Sequence, residues 1–121
     1  MKEFNILVAH SHEPMQSLLR DILNEAFKKK VKVSVASTFQ QASIALDGKH
    51  LLIVDHELKG KGGETGLDLV KVARLKNIGV IATSTDPSAS REYPYGVEFL
   101  HYPTVEKIIA LVGKHVIEGK K

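Results

Sequence analysis

Apolar residues follow two rhythms along this chain. Ile6-Leu7-Val8-Ala9, Leu51-Leu52-Ile53-Val54 and Val80-Ile81-Ala82 are short unbroken runs. Such runs read as interior strands covered on both faces, because a strand with one wet face would alternate. Lys32-Val33-Ser34-Val35-Ala36 does alternate and reads as a half-exposed edge strand, and Val97-Glu98-Phe99-Leu100 reads as the last strand. Between the strands the spacing turns helical. Pro14 suits a first helical position, and Met15, Leu18, Leu19, Ile22, Leu23, Ala26 and Phe27 form an apolar stripe for one side of a sheet. Lys28-Lys29-Lys30 closes that helix with charge of the favourable sign. Thr38 is placed to cap a helix over Phe39 to Leu46, with Gly48 ending it.

Leu67, Leu69, Val70, Val72, Ala73 and Leu75 supply the apolar side of the next helix, which ends near Lys76-Asn77. Pro87, Pro94 and Gly96 leave room for only a short helix in the following crossover. Thr104 then caps a final helix carrying Val105, Ile108, Ile109, Leu111, Val112, Val116 and Ile117; Lys107 cannot complete a capping box. Strand and helix thus alternate five times. Right-handed crossovers turn that order into a parallel sheet with helices on both faces, one α/β domain over residues 1–121. No glycine-rich turn follows the first strand, which argues against a dinucleotide-binding fold.

In an open parallel sheet, chemistry collects beyond the carboxyl ends of the strands. Those ends carry His10, Ser11, His12 and Glu13, then Asp55 and His56, then Thr83 to Thr85, then His101 and Tyr102. The long loop from His56 to Glu64 contains Lys59, Gly60, Lys61, Gly62 and Gly63. Its backbone N–H groups could cradle an anion, but so little apolar area predicts a loosely held, solvated segment.

Composition narrows the field. The absence of cysteine removes thiolate metal sites and thiol nucleophiles and fits a cytoplasmic protein. No apolar run is long enough to span a bilayer, and no secretion signal opens the chain. A net charge of +3, concentrated at Lys28 to Lys32 and Lys120-Lys121 without interleaved aromatic residues, makes nucleic acid an unsuitable partner. No serine has a nucleophile-elbow context, so an enzyme is not expected.

Leu52-Ile53-Val54-Asp55, Ile81-Ala82-Thr83-Ser84, Glu13-Pro14 and Gly66-Leu67-Asp68-Leu69-Val70 together resemble the receiver domain of two-component response regulators, over Phe4 to Val116. The resemblance implies a flavodoxin-like, CheY-like three-layer α/β/α sandwich with five parallel strands in the order 2-1-3-4-5. It also implies that Asp55 is the phosphoacceptor for a partner histidine kinase in a phosphorelay, with Thr83 coordinating the phosphoryl group. Phe99 stands where the family carries a rotating aromatic residue.

Departures from the family pattern centre on the ion site. His10 and Ser11 replace the two acidic residues that hold magnesium, Tyr102 replaces the lysine before the proline, and Lys59 replaces a proline. The loop from Asp55 to Gly66 is about three residues longer than the resemblance implies. One imidazole and one hydroxyl are poor substitutes for two carboxylates around Mg2+, so the chain is expected to be a degenerate pseudo-receiver. On that expectation it is a signalling module that binds proteins and has weak Mg2+ affinity and no other cofactor. Only Ile117 to Lys121 follow Val116, so as a stand-alone protein it is expected to act by binding a histidine kinase or an output protein rather than DNA.

Two alternatives stand beside it. Asp55 could remain an active phosphoacceptor, with Glu13 as an acidic contributor and Lys59 or Lys61 as the ammonium. His10, His12, His56 and His101 with Asp55 and Glu13 could instead hold a transition metal, although scattered surface histidines are the plainer reading. Tyr93 and Tyr95, in the crossover before the last strand, mark a face for protein contact or homodimerisation, or else cover the end of the core. Thr83, Phe99, Tyr102 and Tyr95 are the expected switch or interface residues.

Overall fold

The strands are β1 (Phe4–Ala9), β2 (Val31–Ala36), β3 (Leu51–Asp55), β4 (Gly79–Ser84) and β5 (Glu98–His101). They alternate with helices α1 (Glu13–Phe27), α2 (Phe39–Ala45), α3 (Gly66–Leu75) and α4 (Val105–Glu118), and short 3-10 turns occupy Lys28–Lys30 and Ala89–Glu92. This architecture comes from a computed structural model that describes residues 3–84, 86, 88–93, 97–101 and 104–118. Every pairing is parallel, and the strand order is β2-β1-β3-β4-β5. The expected order is therefore the observed one. Its reversal falls between β1 and β3, so the crevice lies beyond Ala9 and Asp55.

Side-chain alternation divides the sheet into two cores. Ile6, Val8, Leu51, Ile53 and Ile81 pack with Leu19 and Leu23 of α1 and with Ile108, Val112 and Val116 of α4. Leu7, Ala9, Leu52, Val54, Val80 and Ala82 face Ala42 of α2 and Leu69, Val70 and Ala73 of α3. Leu51 to Val54 are each no more than 1% exposed, because β3 is covered by both layers. Each of these side chains contributes about 1.5–3 kcal/mol of burial, an upper bound relative to an extended chain.

The helix stripes are narrower than the spacing predicts. Met15 and Leu18 are 39% and 49% exposed, and the buried face of α1 is Gln16, Leu19 and Leu23. Leu75 and Ile117 are also exposed, because at 100° per residue they fall on the side of the helix opposite the buried stripes of Leu69, Val70 and Ala73 in α3 and of Ile108, Val112 and Val116 in α4. The predicted caps form: Gln41 N–H donates to Thr38 Oγ1 at 3.1 Å and Lys107 N–H to Thr104 Oγ1 at 3.2 Å. A further cap starts α3, where Asp68 accepts from Thr65 N–H at 2.8 Å.

The loop after β3 corrects an expectation. It is anchored by Leu58, which is 0% exposed and belongs to the α2–α3 core. Lys59 O accepts from Phe39 N–H at 2.9 Å, Gly60 N–H donates to Glu64 O at 3.0 Å, and Gly62 N–H donates to Glu64 Oε1 at 2.9 Å. Gly66 then brings α3 back against β3; a Cβ there would run into the Asp55 carbonyl oxygen. Among the described residues, no helix is long and apolar enough to cross a membrane.

Candidate functional site

Residues of β1, β3 and β4 converge on one face of the crevice. Asp55 follows Leu51 and Ile53 in alternation, Thr83 follows Ile81, and His10 follows Ile6 and Val8, so all three lie on the α1–α4 side. Asp55 and Thr83 are direct register partners. His10 is fixed by its own backbone: its N–H donates to Ala36 O at 3.0 Å, and its carbonyl accepts from Gln16 Nε2 at 3.2 Å. Gln16 also donates to Ser37 Oγ at 3.1 Å and so ties α1 to the ends of β1 and β2. Gln16 is missing from the stripe read above; the signal that marks it is its i, i+3, i+7 spacing with Leu19 and Leu23, a polar residue on an otherwise apolar face.

The His10 ring has a defined polarity. His12 N–H donates to Nδ1 at 3.1 Å, so in the neutral ring the hydrogen resides on Nε2. Nε2 lies 3.8 Å from Asp55 Oδ1, beyond hydrogen-bond length. On the other side of the carboxylate, Glu57 N–H donates to Oδ2 at 3.1 Å. Burial pushes the Asp55 carboxyl above its ordinary value, opposed by His10 and the Glu57 N–H. Burial lowers His10 below the ordinary histidine value, with Asp55 pulling the other way and His12 adding to the depression.

Magnesium is a poor match for this donor set. Mg2+ takes hard oxygen ligands in near-octahedral geometry, and an imidazole presenting N–H towards the carboxylate is not such a ligand. Glu13 is exposed in the first turn of α1. Lys59 and Lys61 are exposed as well, and neither forms an ion pair with Asp55 among the described residues. The six-residue metal cluster does not assemble: among the described residues, no three His, Asp or Glu side chains gather in metal-holding geometry. His10 alone of the four histidines pairs with Asp55, His12 and His101 are exposed, and His56 turns towards Tyr93.

That last contact links the crevice to β5. His56 Nδ1 lies 2.9 Å from Tyr93 Oη, and His56 Nε2 lies 3.6 Å from Glu92 Oε2. The Tyr93 ring packs on Phe99 at 5.1 Å between centroids, and both rings lean on the α2–α3 core. Burial, reinforced by Asp55, Glu92 and Glu57, raises the Tyr93 hydroxyl, which remains protonated and can donate to His56. Of the two readings given above for Tyr93, cover for the end of the core is the one its packing supports, and its hydroxyl orients His56. Thr85, Tyr95 and Tyr102 lie outside the described residues.

Above Asp55, a cavity of about 300 Å³ opens between α1 and α4. Asp55, His10, Thr83 and Ser84 contribute its polar groups, and its apolar walls include Leu19, Ile22 and Ile108. Met15, Leu18 and Val105 are exposed apolar residues along the same lining. Thr83 Oγ1 lies 3.5 Å from Val54 O, a weak contact that leaves the hydroxyl able to accept.

No family model and no curated protein matches the sequence. Solved structures do match the fold. A response regulator receiver protein from Sinorhizobium medicae superposes with a TM-score of 0.80 at 17% identity, covering 96% of each chain. The Vibrio cholerae chemotaxis protein CheY4 gives 0.78 at 16% identity, covering 93% of this chain and 98% of that one. A Francisella response regulator receiver domain gives 0.74 at 17% identity, with 95% and 98% covered. With its strand order and layers, the chain has the flavodoxin-like fold of response regulator receiver domains.

Proposed function

We propose that this chain is a protein-binding signalling module of receiver architecture whose output does not depend on magnesium-assisted phosphorylation of Asp55. The observation that carries the reading is His10: its imidazole Nε2, 3.8 Å from Asp55 Oδ1, stands beside the carboxylate where a hard cation would need oxygen ligands. Phosphoryl transfer requires charge on the equatorial oxygens to be neutralised, and Lys59 and Lys61 stand exposed on the loop after β3, where neither forms an ion pair with Asp55 among the described residues. Asp55 keeps a structural task, accepting from Glu57 N–H in the turn after β3.

A second reading, Asp55 as an active phosphoacceptor, draws support from Thr83, whose strand position is in register with Asp55 on the same face. Titration of MgCl2 into isotope-labelled protein separates the two. The proposal expects no saturable change in the backbone signals of Asp55, His56 and Thr83. Saturation at millimolar Mg2+ centred on those residues would favour the second reading.

A further inference from the structure

We infer that the cavity between α1 and α4 is a binding site for a small organic cation, an ammonium group on an apolar body, with the ammonium against Asp55. The inference rests on the reading that Asp55 is not engaged with Mg2+ and a phosphoryl group, and it goes further by assigning the site a ligand. Among its described lining residues the cavity has one formal charge at neutral pH, the Asp55 carboxylate; no lysine or arginine lines it. That carboxylate is 12% exposed, accepts one hydrogen bond on Oδ2, and faces His10 across a gap too long for another on Oδ1. Acceptor capacity on Oδ1 is thus left over in a half-dry site, where a cation recovers the most electrostatic energy. Thr83 Oγ1 provides a second acceptor on the same face.

The walls determine the rest of the ligand. Leu19, Ile22 and Ile108 with the exposed Met15, Leu18 and Val105 make an apolar sleeve around the polar floor. This combination of a mostly apolar concavity with a few convergent polar groups is the usual composition of a small-molecule site. About 300 Å³ is space for roughly ten water-sized groups, the size of an aryl-alkyl amine. An anion is the less suitable occupant. It would meet the Asp55 carboxylate on the floor, and no lysine or arginine among the described lining residues offsets that repulsion.

Three probes of like shape test the assignment by methyl and backbone NMR titration of the whole chain: 2-phenylethylammonium, 2-phenylethanol and 3-phenylpropionate. The expected result is saturable shifts at Leu19, Ile22 and Ile108 with the ammonium, at a Kd of about 1 mM or tighter. The alcohol should bind about tenfold or more weakly, and the carboxylate not measurably. Asp55→Asn, which keeps the side-chain shape, should lower ammonium affinity about ten- to hundredfold and bring it level with the alcohol. Absence of saturable shifts with the ammonium, or equal binding of ammonium and carboxylate, would overturn the assignment. Because no phosphoryl donor or Mg2+ is added, these outcomes leave the preceding proposal to be judged on its own tests.

Discussion

Asp55 and His10 are buried side by side, and burial acts on them in opposite senses. The Asp55 carboxyl is raised, so the folded state holds its proton more tightly than the unfolded chain does. Its contribution to stability is fully present below the unfolded value of 3.8 and is lost as pH rises through the raised folded value. His10 is depressed below 6.5, so acidification through that value costs stability as the unfolded chain takes up the proton first. Asp55→Asn keeps an oxygen for Glu57 N–H and removes the buried charge. It should therefore raise the thermal midpoint at pH 7, and the advantage should vanish as pH falls below 3.8. Scanning calorimetry of both proteins from pH 3 to pH 8 checks this. A midpoint lowered at pH 7 would mean that the ionised carboxylate stabilises the fold.

The long connection from β3 to α3 shows best what an element inherits from single residues. Its lysines and glycines dominate the sequence, yet one leucine and a set of backbone hydrogen bonds hold it against α2. Leu58→Ala should cost about 2–5 kcal/mol, as expected for truncating a buried leucine, whereas Lys61→Ala on the exposed surface should stay within about 0.5 kcal/mol. Urea unfolding midpoints distinguish them; equal midpoints would show that the loop is not part of the cooperative core. The strands and helices themselves were legible because β3 is apolar on both faces and because the helices repeat at helical spacing. Leu58 was not, since an isolated apolar residue among glycines carries no periodicity. Nor was the exposure of Met15 and Leu18, because spacing identifies a stripe without showing how much of its width is covered.

At the scale of the whole molecule, the strand order places β1 and β3 side by side at the switch point, so residues 45 positions apart in sequence, His10 and Asp55, become neighbours. Strand-end arithmetic was enough to name them, but not to say which would meet. Of the residues at the upper edge, Asp55, His10 and Thr83 share one face, while His56 turns to Tyr93 and the Phe99 side of the sheet. That division follows from alternation, with the turn after β3 sending consecutive residues to opposite layers. The receiver fold accommodates many activities, so it is the donor set beside Asp55, not the architecture, that argues against metal-assisted phosphoryl transfer. The measurement that bears on this most directly is intact-mass analysis after incubation with acetyl phosphate or phosphoramidate and Mg2+, run in parallel on the natural chain and Asp55→Ala. The account predicts the unmodified mass for both, and a phosphoryl adduct on the natural chain that is lost in Asp55→Ala would contradict it.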